Sequence, residues 1–132
     1  MDNESPIGLA NDRLTQSLEC INSAEADIEL GHLKSAANRS YYSVYHSMRA
    51  VLALAGFESK KHFGNSSEFR RLYIKTGIFE AKHSDIITNS YNLRQKCDYL
   101  DYYIAMEAEV IEQLFDAKHF YNEVKLHIKN TA

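Results

Sequence analysis

The chain of 132 residues reads as all-α, a four-to-five-helix up-and-down bundle occupying residues 1–132 as a single domain. Three observations predict it. Five Gly and a single Pro leave little turn chemistry for a strand-rich fold. Ala, Leu, Glu, Lys and Ile, good helix formers or core residues, dominate long stretches. Apolar residues recur at helical spacing rather than alternating. A hydrophobic content of 45% in a chain this long supports a buried core without covalent staples.

The elements follow in order. Ser5 and Pro6 form an N-cap with proline at the first helical position, and Leu14, Leu18, Ile21 and Ile28 carry a helix over residues 6–30 to Gly31. A second, central helix runs from about Leu33 to Ala55 and closes at Gly56, with Leu33, Ala37, Tyr41, Val44, Met48 and Leu52 in one stripe. Phe57 to Gly64 reads as a basic loop, after which Asn65 and Glu68 resemble a capping box that opens a short helix over Ser67 to Lys75. Thr76-Gly77 ends it, and Ser84 or Asp85 starts a fourth helix whose buried positions are Ile86, Ile87, Leu93, Cys97 and Leu100, up to about Tyr102. The last helix covers roughly Met106 to Lys129, with Val110, Leu114, Ala117, Phe120 or Tyr121, Val124 and Ile128 at helical spacing.

Composition excludes several classes of function. At a net charge of −3 the molecule repels polyanions as a whole, so any nucleic-acid contact comes from a local basic patch. Cys20 and Cys97 form no CxxC pair, and the first six residues lack the features of a signal peptide, which together fit a reducing cytoplasm. The longest uninterrupted apolar run, Ala50 to Ala55, is far too short for a membrane span. His32, His83, His119 and His127 show no metal-ligand spacing and the cysteines do not complement them, so neither a metal nor a cofactor is expected.

Chemistry concentrates on the central helix. Arg39 and His46 stand seven residues apart, almost two turns, so a guanidinium and an imidazole share a face with about 10 Å of axis between them. Tyr42 or Ser43 falls between them and Arg49 follows, giving a second stripe nearly opposite Ala37 and Val44. Ala50 and Ala53 continue that face as apolar surface, which implies a groove or an interface. Arginine suits phosphate and histidine moves protons near neutral pH. RNA cleavage without a metal needs a base for the 2′-hydroxyl, an acid for the leaving 5′-oxygen and a cation against the phosphate. One chain supplies an incomplete set, and a two-fold homodimer apposing two such helices would supply a second His46 and Arg39.

The run Asn38 to Ala50 resembles the central helix of HEPN domains, whose hallmark is an arginine, four to six residues, then a histidine; here Ser40 to Tyr45 make a gap of six. Lys60-Lys61-His62, with Phe69 and Lys75-Thr76-Gly77, is similar to the family's lysine-threonine-histidine loop and lysine-threonine-glycine helix end, with Lys61 standing where threonine is usual. Arg94 to Tyr99 resembles the arginine and aspartate-tyrosine element of the stand-alone bacterial branch. The resemblance implies a helical homodimer, often encoded beside a minimal nucleotidyltransferase that serves as antitoxin. Active members are metal-independent ribonuclease toxins and others are binding modules. Ser40 follows the arginine where Asn, Asp or His is commoner. Met48 stands where members silenced by nucleotidylation carry tyrosine.

The candidate site is therefore Arg39 and His46 as catalytic residues, Tyr42, Arg49, Lys60, Lys61 and His62 as substrate contacts, and Arg94 and Asp98 behind them. Lys60, Lys61 and His62, with Arg70 and Arg71 nearby in sequence, make the one basic cluster, a phosphate contact or an ordinary solvated loop. Arg94 and Asp98, at i and i+4, either form an intrahelical ion pair or let Asp98 orient Arg39 or His46. Tyr99, Asp101, Tyr102 and Tyr103 read as core packing with hydroxyls at the surface. Two functions compete: an endoribonuclease toxin acting on RNA, and a non-catalytic module binding a nucleotide or the nucleotidyltransferase. A dimeric scaffold with no ligand is the plain third.

Overall fold

The computed structural model describes residues 5–131, and every regular element among them is helical. The Ser5 hydroxyl accepts from the Gly8 amide at 3.0 Å and opens α1 (Pro6–Glu29), with Pro6 where a missing N–H leaves nothing unsatisfied. Gly31, at φ +79°, turns the chain, and α2 (Leu33–Leu54) runs back along α1. The antiparallel register is visible in the pairs Asp27–Ser35, Cys20–Arg39, Ser17–Ser43 and Arg13–Arg49. At mid-seam the Ser17 hydroxyl meets the Ser43 carbonyl, the Ser43 hydroxyl and the Ser47 hydroxyl at 2.8, 2.9 and 2.7 Å. Small side chains let the helices approach closely, and the buried hydroxyls satisfy one another.

The remaining elements are α3 (His62–Phe69), which continues into one π-helical turn (Arg70–Ile74), α4 (Lys82–Tyr99) and α5 (Glu107–Thr131). Helix α2 packs against all four others, so it is the axis of the bundle, as its apolar stripe predicts. Phe69, Tyr73, Phe79 and Phe120 form an aromatic cluster with ring centres 5.4–5.6 Å apart, tying α3, the π-turn and α5 together.

Several local expectations are corrected. Asn65 is not a helix cap: it lies inside α3 and is buried, its Nδ2 donating to the Tyr45 hydroxyl at 3.2 Å and the Ser59 carbonyl at 3.0 Å. Satisfying a buried amide twice outweighs capping, and α3 starts five residues earlier than the pattern implies, with Lys61 at its N-cap. Ser84 does not cap α4 either, because its hydroxyl accepts from Arg70 Nε at 2.8 Å; the helix begins at Lys82. At the other end α4 stops at Tyr99, and Leu100 is extended and exposed rather than core. Tyr99 and Tyr102 are exposed too, Tyr102 almost completely at 97%, so the tyrosine cluster is surface; only Tyr103 tucks in, donating to Glu109 at 2.9 Å. Leu18 also faces out. Among the described residues no helix is long and apolar enough to cross a membrane.

Candidate functional site

The outer face of α2 presents Asn38, Arg39, Tyr42, His46 and Arg49, all partly buried, while Ser43 turns inward to Ser17. Tyr42 is therefore the residue that lies between Arg39 and His46. Those two side chains line one shallow depression of about 330 Å³, whose opposite wall is Gln16, Glu19, Cys20 and Ser23 of α1. Ala50 and Ala53 are buried, not apolar surface. Helix α1 covers that end of α2, as the hydrogen bond from Arg13 Nη1 to the Arg49 carbonyl at 3.2 Å shows.

Arg39 is held in place. Its Nε and Nη2 donate to Asn38 Oδ1 at 3.1 and 2.7 Å, its Nη1 lies 3.8 Å from Cys20 Sγ, and its guanidinium carbon is 5.4 Å from the Tyr42 ring centre. Asn38 Nδ2 in turn donates to Asp98 Oδ2 at 3.1 Å, and the same oxygen accepts from Arg94 Nε at 2.9 Å. The intrahelical ion pair forms, and Asp98 reaches α2, but it meets Asn38 rather than Arg39 or His46.

His46 sits among cations. Burial first, then the positive charges of Arg49, Arg39 and Arg13 and the His62 ring, push its pKa down to about 4, so the imidazole is neutral at pH 7. Its Nδ1 is buried with no hydrogen-bond partner among the described residues. Arg49 is not free for substrate in this state: it pairs with Glu58 Oε1 at 3.0 Å and its guanidinium carbon lies 5.5 Å from the Tyr45 ring centre. The other oxygen of Glu58 takes Arg13, which is only 5% exposed although charged. Partial burial raises the Glu58 pKa, but the hydrogen bonds from Arg13 and Arg49 outweigh it and hold the carboxyl below its ordinary value.

His62 joins this site, whereas Lys60 and Lys61 stay exposed in the preceding turn. The His62 ring stacks on Tyr45 at 4.1 Å, its Nδ1 meets the Tyr41 hydroxyl at 2.7 Å, and it stands edge-on to Tyr42 at 5.8 Å. Arg94 lies over both Tyr41 and Tyr42, at 5.4 and 5.3 Å. The rest of the basic cluster is dispersed: Arg70 bonds Ser84 and Thr88, and Arg71 pairs with Glu68. In its place the fold gathers Arg13, Arg39, Arg49 and Arg94 around the outer face of α2. Among the described residues no three His, Cys, Asp or Glu side chains are placed to hold a metal ion.

Sequence reasoning missed Asn38, Arg13, Glu58 and the α1 wall of the depression. Two carried a signal. Arg13 is a charge at a buried register position, between Ala10 and Ser17, and Glu58 is the one acid in the stretch Phe57 to Gly64. Asn38 offered none beyond standing next to Arg39.

A five-helix bundle whose axial helix displays an arginine and a histidine seven residues apart has the form of a HEPN domain. The sequence matches the HEPN domain over residues 10–127, and the chain belongs to that family. Its relatives include Putative toxin MJ0605 of Methanocaldococcus jannaschii, 36% identical over 97 residues that cover 73% of this chain and 71% of that protein. Putative toxin MJ0142 of the same organism is 33% identical over 94 residues, 70% of this chain and 63% of the relative. A UPF0332 protein of Thermotoga maritima is 26% identical over 112 residues, 85% of each chain.

Proposed function

We propose that this HEPN protein is a metal-independent endoribonuclease and acts as the toxin of a two-gene module, with a nucleotidyltransferase as its antitoxin partner. The observation that carries the reading is the single depression lined by both a neutral imidazole and an anchored guanidinium. A guanidinium and a neutral base lining one depression suit a phosphodiester anion. Names of two relatives contain the word toxin, which supports the module.

In this reading the neutral His46 takes the proton of a 2′-hydroxyl. The O2′–P bond forms, the P–O5′ bond breaks, and the products are a 2′,3′-cyclic phosphate and a free 5′-hydroxyl. Arg39 carries the charge that builds on the phosphate oxygens. The 5′-oxygen needs a proton as it leaves, and a second His46 across a two-fold axis supplies it, protonated once the bound phosphate offsets the surrounding arginines. Homodimerisation is thus part of the proposal.

A non-catalytic role, binding a nucleotide or the partner through the same face, is favoured by one observation. Among the described residues no carboxylate is bonded to His46, whose Nδ1 is unpartnered, whereas general bases are commonly held by one. The test is cleavage of single-stranded RNA in the presence of a chelator by the purified protein and its His46→Ala variant. Cyclic-phosphate products from the wild type alone support the enzyme. Equal cleavage by both, or cleavage by neither, leaves only the binding role.

A further inference from the structure

Around α2 from the Arg39–His46 depression, on the side of Tyr41 and Met48, lies a more closed recess of about 250 Å³ between α2, α3 and α4. Four rings, Tyr41, His62, Phe63 and Tyr91, stand around it, and the buried side chains of Met48 and Ile87 floor it. We propose that this recess is a base-binding subsite for single-stranded RNA. It takes the base of a nucleotide neighbouring the one whose phosphate lies between Arg39 and His46. The inference rests on the RNA reading above.

Size and lining come first. The volume falls just below the range of sites for drug-sized ligands and suits one planar ring. Aromatic walls are what bases stack on, whatever their identity. Phe63 stands at this recess with 82% of its surface exposed, an apolar ring that gains by being covered.

The polar groups are already engaged with one another. The Tyr41 hydroxyl meets His62 Nδ1 at 2.7 Å, the Ser66 hydroxyl donates to the Phe63 carbonyl at 3.1 Å, and Arg70 donates to Ser84 and Thr88. A peptide lodged here would find few partners for its backbone groups, which are costly to bury unpaired. A base stacked by its faces keeps its polar edge toward the open mouth of the recess, and it would be accepted with little regard to sequence.

The recess and the depression open on different sides of α2, and the Tyr42, Tyr45 and His62 rings form the path between them. His62 stacks on Tyr45 at 4.1 Å and Tyr45 lies 5.7 Å from His46, so the two imidazole centres are less than 10 Å apart, within reach of adjoining nucleotides. Arg94 lies above Tyr41 and Tyr42 on this path, its Nε committed to Asp98.

The test measures fluorescence anisotropy of a labelled RNA hexanucleotide and of the same backbone made abasic, both with His46→Ala protein so that nothing is cleaved. Phe63→Ala removes an exposed wall, and Thr88→Trp, also at a surface position, fills the recess. Each is expected to weaken binding of the base-bearing strand about tenfold and to leave the abasic strand unchanged. The subsite is overturned if the base-bearing strand keeps its affinity within about twofold, or if both strands weaken equally. If the parent protein binds neither strand, the RNA reading falls and the subsite with it, a result unlike either of the others.

Discussion

Asn38 grips the guanidinium of its own sequence neighbour: its Oδ1 accepts from both Nε and Nη2 of Arg39 while its Nδ2 is anchored on Asp98 of α4. The contact fixes one edge of Arg39 and leaves Nη1 toward the depression that His46 also lines. Asn38→Ala should release the side chain. Hydrogen bonds to a charged group are worth about 1.5–3 kcal/mol, so RNA cleavage or RNA affinity is expected to fall by about tenfold or more. Urea unfolding should change little, because both groups are partly solvated. Unchanged cleavage and RNA affinity in Asn38→Ala would show that the contact does not position Arg39.

Glu58 neutralises Arg13 and Arg49 together. Glu58→Gln should therefore free Arg49, tighten RNA binding at low salt and steepen its salt dependence by about one phosphate contact. Arg13→Ala should instead destabilise the fold by about 2 kcal/mol, since a buried stem and a hydrogen bond to the Arg49 carbonyl disappear together. The Glu58 carboxyl is held below its ordinary 4.5, so its contribution is present above that pH and is lost as the pH falls through the folded value. Glu58→Gln should lack this component of acid unfolding.

His46 titrates low because it is buried among arginines. Proton NMR of the free protein should place its midpoint near pH 4, and a bound phosphate oligonucleotide should raise it. The stability consequence has a definite sign. A histidine whose folded pKa is depressed favours the native state fully above its unfolded value of 6.5, and that contribution is lost as the pH falls from 6.5 toward 4. His62 and the fully buried His83 are shifted the same way, chiefly by burial. The melting temperature is expected to drop below pH 6.5 and to drop less in His46→Gln. An unchanged pH profile would contradict the burial of the imidazole.

Phe69 is completely buried against Tyr73, Phe79 and Phe120. Phe69→Ala should cost about 3–5 kcal/mol, seen as a lower urea midpoint at constant slope. The α3 segment bears His62 and Phe63, so this variant should also weaken RNA contacts.

The helices themselves were legible because helical periodicity is local geometry. Leu33, Ala37, Tyr41, Val44, Met48 and Leu52 recur at 100° steps whatever surrounds them, and the structure finds α2 within one residue of the expected bounds. Arg39 and His46 were legible for the same reason: two residues seven apart must share a face. Asn65 and Ser84 were misread because a cap residue is defined by its partner. Tyr45, Ser59 and Arg70, distant in sequence, claimed those side chains first.

Helical periodicity was enough to establish an all-α chain, its axial helix and the face that Arg39 and His46 share. Folding settled that Tyr42 rather than Ser43 lies between them, that Arg49 is tied to Glu58, that Asp98 reaches Arg39 through Asn38, that His62 leaves its loop to stack on tyrosines, and that α1 walls the depression. The reason is physical. Spacing along a helix is set by bonded geometry, whereas charge state, exposure and orientation are set by groups that folding brings in from elsewhere.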